Sequence, residues 1–332
     1  MKILIIANLR GWNNLHFNHF KEAVIKNGHQ AELVDYKQME GGLFSFISKK
    51  AKDDYRNRNL EKIIKAQKPD AVLFVIARLK FNFEALKSYY RGLVLLYDMN
   101  GPEWECYRDI SWLNSIDFLF TASIVAQRKL KERNRDSYYW EGSVDPNYYK
   151  KINYDANISQ IYQSTVSFAS RPTPRRVDLI SAIENSDIKL WEKRWARVEE
   201  CKNQRLRNCT FAKNRISDHD YVQIFNCCQI YVNILREALI NPPNMISLVS
   251  YAAISCETCL VQEWVEEIDN SFENGKEILT FKNKDEFIEL VQRYTRDKDA
   301  AKKIGEFGRK RILAEHTHTH RIKEMLKITG LG

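Results

Sequence analysis

The feature that most constrains this chain is an alternation. Short, almost wholly apolar runs take turns with longer amphipathic stretches from the first residue onward. Lys2–Ala7, Ala71–Ile76 and Leu93–Tyr97 are apolar on both faces, and each is followed or preceded by a stretch with helical periodicity. A strand buried on both faces belongs to a parallel sheet, because the crossover helices cover both sides. The expected first set has strands at Lys2–Ala7, Ala31–Asp35, Ala71–Ile76, Leu93–Tyr97, Asp117–Ala122 and Tyr138–Trp140. Helices are expected at Phe17–Asn27 (stopped by Gly28), Leu60–Gln67, Phe83–Tyr90 and from the cap Ser123 to about Arg133.

A second set follows a polar, aperiodic stretch from Val144 to about Ser159, which reads as a linker. Its strands are expected at Val166–Ala169, Ile188–Trp191, Ile230–Leu235, Cys259–Gln262 and Ile278–Phe281. Helices are expected at Arg175–Glu184, up to Cys227 from a Ser217/Asp220 capping box, at Asn244–Ala253, and at Asp285–Thr295, Asp299–Ala314 and His320–Lys327. The expected fold class is α/β, with two Rossmann-like domains at 1–150 and 160–332 and a ligand cleft between the carboxyl edges of their sheets. The last helix is expected to pack back toward the first half.

At 332 residues and 44% hydrophobic content, the chain has material for two cores. No apolar run approaches the roughly 20 residues that span a bilayer. Met1–Asn8 is too short for a signal peptide and has no small-residue cleavage site behind it, so a cytoplasmic protein is expected. The seven cysteines are scattered without paired metal-ligand spacing and read as reduced thiols. His316, His318 and His320 alternate with threonine, but no cysteine pair or acidic cluster accompanies them, so no metal is expected. A net charge of +9 suits an anionic partner: a nucleotide diphosphate, a nucleic acid or a membrane surface.

An ordered set of segments carries a resemblance. Phe272–Phe281 (FENGKEILTF), Asp285–Glu289, Ala301–Arg311 and Glu315–Arg321 (EHTHTHR) resemble the group-one glycosyltransferase domain, in its CgeB-like, spore-maturation-type branch. Phe118–Ala122 with Val144–Pro146 resembles the end of that family's N-terminal domain. The resemblance implies a GT-B fold, a nucleotide-sugar co-substrate (a UDP-sugar foremost) and no further cofactor. It leaves two acceptors open, a modified base in duplex DNA and a surface glycan. The chain departs from the family on one helix: Val249, Ala252 and Glu257 stand where relatives carry Arg, Glu and Gly. An inactive nucleotide-sugar-binding protein is therefore the alternative.

Glycosyl transfer must neutralise a leaving diphosphate and, when configuration inverts, take a proton from the acceptor. Arg171 and Arg175 follow the strand Val166–Ala169 at its carboxyl edge, and Lys193 and Arg194 follow the next strand. With Asn244, Met245 and Ser247 at a helix start, they form the expected donor set. Glu257 and Glu263 are possible substitutes for the missing family carboxylate. Asp98 ends an apolar strand in a segment similar to that of the phage DNA β-glucosyltransferases, and is the expected base. Arg10, Gly11, Trp12, His16, Asn100 and Glu103 are the expected acceptor or cleft residues.

Overall fold

The structure is a computed structural model that describes residues 1–9, 12–39, 49–75, 81–99, 110–184, 186–199, 216–235 and 245–332. The chain divides into two compact units: Met1–Gly142 with His318–Gly332, and Ser143–Thr317.

The first unit holds a six-stranded sheet of β1 (Lys2–Ala7), β2 (Gln30–Asp35), β3 (Ala71–Val75), β4 (Leu93–Asp98), β5 (Phe118–Thr121) and β6 (Tyr138–Tyr139), in the order β2-β1-β3-β4-β5-β6. Every pairing is parallel. Around it lie α1 (Trp12–Lys26), α2 (Lys49–Gln67), α3 (Phe83–Tyr89) and α4 (Ile124–Lys131). Leu4, Val72, Phe74, Val94 and Leu96 share one core with Leu60 of α2 and Leu86 of α3. Helix α2 begins well before the expected Leu60. Its first eleven residues, KKAKDDYRNRN, are too polar to show an apolar period, yet Lys and Arg are good helix formers.

The second unit holds β7 (Ser164–Phe168), β8 (Ile188–Leu190), β9 (Cys228–Asn233), β10 (Cys259–Glu263) and β11 (Leu279–Phe281), in the order β11-β10-β9-β7-β8. These pairings too are parallel. Its helices are α5 (Ala156–Tyr162), α6 (Pro174–Ser181), α7 (Asp218–Cys227), α8 (Leu248–Ser255), α9 (Ile268–Ser271), α10 (Lys284–Arg296) and α11 (Lys298–Glu315). The capping box at Ser217 and Asp220 is formed as read from the sequence.

The stretch expected as a free linker is built into this unit. Val144 bridges Thr317, Tyr149 is buried, and Asp155 caps α5. Tyr162 at the end of α5 stacks on Trp191 at 5.0 Å. The polar residues that suggested a linker are partly caps and turn residues.

The chain then returns to the first unit as α12 (His318–Thr329). Trp140 Nε1 donates to the Arg321 carbonyl at 2.9 Å, and Arg321 Nη2 lies 3.3 Å from Glu141. The His16 and His318 rings meet edge to face at 4.8 Å. Residues 318–332 thus group with the first unit, in line with the expected return of the last helix, although the expected bounds 160–332 include them in the second domain.

Candidate functional site

In the second sheet β7 lies between β8 and β9, so the connections leaving β7 and β9 run in opposite directions. Such a switch point opens a crevice at the carboxyl ends of the strands, where doubly wound sheets bind ligands. The loop after β7 carries Arg171, and the first turn of α6 carries Arg175 and Arg176, to this point.

Arg176 is buried and ties the two loops together. Its Nε and Nη2 donate to the Ile234 carbonyl at 3.2 and 2.7 Å, and its Nη1 donates to the Arg171 carbonyl at 3.0 Å. Arg175 turns its fork onto Glu263, with Nη1 3.1 Å from Oε2. Glu263 ends β10 and also accepts the Leu235 amide at 3.0 Å. One carboxylate therefore holds both the arginine and the loop after β9. The Arg171 side chain is exposed beside them.

An uncharged network lies under the start of α8. Asn233 Nδ2 is 2.9, 2.8 and 2.8 Å from Ser247 Oγ, Ser250 Oγ and Gln262 Oε1. Ser250 donates to Gln262 Oε1 at 2.5 Å, and Gln262 Nε2 donates to the Glu263 carbonyl at 3.0 Å. Helix α8 starts at Leu248, not Asn244, with Met245 and Ile246 buried ahead of it. The amides that a helix start leaves without intrahelical partners thus belong to residues after Ser247, not to Met245.

Lys193 and Arg194 are exposed in a 3-10 turn (Lys193–Arg197) after β8, with Arg194 Nε 2.8 Å from Glu192. The buried Trp195 of that turn donates to the Ser170 carbonyl at 2.8 Å, fastening the turn to the loop after β7. Along α6, Pro172, Pro174, Val177 and Val198 border a cavity of about 530 Å³ whose polar edge is Thr173, Asp178 and Ser181.

Ala252, where the resemblance leads one to expect a carboxylate, is fully buried. Glu257 does not supply that carboxylate. It sits just before β10, at the opposite end of α8 from Ser247, and 3.6 Å from Arg309. There it adopts φ 63°, the backbone conformation that favours glycine. Glu263 is at the carboxyl edge. Two polar residues, Gln262 and Glu263, closing an otherwise apolar strand were the available sign of this site. Arg176 follows the strand Val166–Ala169 beside Arg171 and Arg175 and is legible on that ground, whereas Asn233 carried no such sign.

In the first unit Asp98 ends β4 at the carboxyl edge, pairs in register with Thr121 and is 6% exposed. His16 is buried among Phe17, Phe20 and His318 rather than open, and burial lowers its pKa to about 4. Burial likewise lowers that of His318 well below the usual value, with His16 and His19 adding to it. His316 turns to Phe272 and lies 3.1 Å from the Ser271 carbonyl, so these two histidines of the run join different cores. Among the described residues no three metal-ligating side chains converge. Arg10, Gly11, Asn100, Glu103 and Asn244 lie outside the described residues, as does the side chain of Trp12.

Residues 175–327 match the family model described as glycosyl transferase-like. The match takes in the second unit from α6 onward and runs on into α12. It contains the Arg175–Glu263 pair and the start of α8, and the GT-B architecture of glycosyltransferases covers the chain around it. A sucrose-phosphate synthase from Thermosynechococcus elongatus superposes with a TM-score of 0.75 at 12% identity, over 100% of this chain and 98% of that one. Anabaena HepE in complex with UDP and glucose gives 0.68 at 13% identity, over 100% of both chains. An alpha-glucosyltransferase in complex with UDP-glucose and DNA containing an abasic site gives 0.64 at 13%, over 98% of each. No curated protein matches the sequence at a significant level. Among the described residues no helix is long and apolar enough to cross a membrane.

Proposed function

We propose that the protein transfers a sugar from a nucleotide-sugar donor, a UDP-sugar, to an acceptor hydroxyl. The observation that carries this reading is the arginine-bearing crevice at the switch point of the glycosyl transferase-like domain. UDP-glucose in structural relatives supports the choice of donor.

In this reading Arg171 and Arg175 neutralise the diphosphate as its bond to the sugar breaks. A guanidinium fork matches phosphate oxygens and remains charged throughout. Glu263 orients Arg175, and Arg176 holds the carbonyl of Arg171 in place. The first amides of α8 add fixed partial positive charge, and Ser247 with Asn233 offers hydroxyl and amide groups to the donor. Lys193 and Arg194 flank the same edge. In an inverting transfer Asp98 accepts the acceptor proton. The CgeB-like branch remains the family relation that the Gly-Lys-Glu and Glu-His-Thr segments suggest.

Val249 and Ala252 favour a second reading, a domain that binds the nucleotide sugar without turning it over. One experiment separates the two. Calorimetry with UDP and UDP-glucose reads binding, and release of free glucose from UDP-glucose reads bond cleavage. Binding with cleavage supports the transferase; binding without cleavage, also with a panel of other UDP-sugars, supports the second reading. Absence of nucleotide binding would sink both.

A further inference from the structure

A cavity of about 600 Å³ lies between α2 and α3 in the first unit, apart from the donor residues. Its walls follow from helical periodicity. Asp53, Asp54, Asn57, Arg58 and Glu61 stand on one stripe of α2, since residues three and four apart are neighbours on a helix. Asn82, Ala85 and Tyr89 form the matching stripe of α3, with Phe81 just ahead of it. The Asn82 amide donates to Asn57 Oδ1 at 2.9 Å, fixing one wall to the other.

The Asn82 end of the cavity lies at the carboxyl edge, on the face of the sheet to which Asp98 projects. Asn82 caps α3, which follows the carboxyl end of β3, the strand next to β4. Helices α2 and α3 pack on the face lined by Val94 and Leu96 of β4. Side chains alternate along a strand, so Asp98, two residues after Leu96, projects to that same face.

The lining has the chemistry of hydroxyl recognition. Asp53 and Glu61 are held by Arg56 and Lys65 at 2.7 and 2.6 Å, so their carboxylates are positioned acceptors. Asp54 and Arg58 are exposed and supply a further acceptor and a forked donor. The Tyr89 phenol, its pKa pushed up to about 12 by burial and by Glu61, remains a donor at neutral pH. Tyr89 offers ring surface to the C–H face of a sugar, with the buried Phe81 behind the wall, and the cavity falls in the ordinary range for small-ligand sites. With Asp53 and Glu61 paired to Arg56 and Lys65, Asp54 and Arg58 leave the lining without the excess of positive charge that would draw phosphates, although the whole chain carries +9.

We propose that the α2–α3 cavity binds a sugar ring of a neutral glycan and is the acceptor subsite. Its acceptor role rests on the transferase reading above; sugar binding does not. Duplex DNA, whose backbone is anionic, is disfavoured at this surface.

Saturation-transfer NMR with the methyl glycosides of glucose, galactose and N-acetylglucosamine tests the proposal on the full chain. At least one glycoside is expected to receive saturation from the protein. Its signal should fall at least fivefold in Tyr89→Ala and at least threefold in Asp54→Asn, an exposed change that leaves the core untouched. Glu132→Gln, outside the cavity, should retain the signal. No signal with any of the three, an undiminished signal in Asp54→Asn, or displacement by a duplex oligonucleotide would overturn it. UDP titrated into the same wild-type sample reads the donor unit separately. Glycoside binding without UDP binding removes the donor reading and keeps this site; the reverse removes this site alone.

Discussion

Arg175 and Glu263 form a forked ion pair between the first turn of α6 and the last residue of β10. The pair is partly shielded, with side-chain exposures of 32% and 8%. The carboxylate also accepts a buried backbone amide. Removing Glu263 therefore leaves a charged fork and an N–H without their acceptor. Glu263→Ala is expected to cost about 1–3 kcal/mol of stability. A double-mutant cycle with Arg175→Ala in urea should give a coupling of about 0.5–3 kcal/mol, as for residues in direct contact. Strict additivity would mean that the pair contributes nothing to the fold.

Arg171 stands exposed on the same loop and is the proposed diphosphate contact. Arg171→Ala is expected to weaken UDP binding by about 1.5–3 kcal/mol, the worth of a charge-assisted hydrogen bond. Calorimetry checks it, and an unchanged affinity in a folded variant would move the diphosphate elsewhere.

Asp98→Asn keeps the shape of the β4 end and removes a proton acceptor. Turnover should fall by about 10²–10⁴ while UDP binding stays at the wild-type level. Retained turnover would assign the base to another residue. Joint loss of binding and turnover would make Asp98 a structural residue.

The His16–His318 contact makes stability depend on pH. Both rings are neutral when folded because burial lowers their pKa values, to about 4 for His16. The unfolded chain binds protons near pH 6.5. It thus takes up more protons than the folded chain below that pH, so stability rises with pH. The contribution is fully present above about pH 6.5 and is lost as pH falls toward 4, on the order of 3 kcal/mol for His16. Urea midpoints between pH 7 and 4 should drop, and less steeply in His16→Phe. Equal slopes for the two proteins would contradict the assignment.

Gly305 lets α11 touch the chain end of α8. A Cβ there would lie 2.0 Å from the Glu257 carbonyl oxygen. Gly305→Ala is expected to destabilise by about 1–3 kcal/mol, the usual cost of overpacking, despite the better helix propensity of alanine. A melting temperature at or above that of the parent would show that the helix can retreat.

Much of this protein was legible in its sequence because the signals are local. Buried parallel strands must be apolar on both faces, so Ile3–Ala7, Val72–Val75 and Val94–Leu96 announce themselves. The carboxyl edges follow from strand direction, which places Asp98 at the end of β4, Arg171 in the loop after β7 and Arg175 in the helix turn behind it. Capping chemistry is local too, and Ser217 with Asp220 is read directly. The tertiary structure decided what depends on register and return paths. Arg175 finds its carboxylate 88 residues away and Arg176 its carbonyl 58 away, because strand order sets β10 and β9 beside the loop after β7. The segment from Val144 to about Ser159 looked like a linker because its polar residues serve caps and turns, while Tyr149 is buried and the helix that Asp155 caps ends at Tyr162, stacked on Trp191. The return of the last helix toward the first half was expected from the sequence, but its partners were not: His318 and the Arg321 carbonyl find His16 and Trp140 there, contacts that no local periodicity encodes.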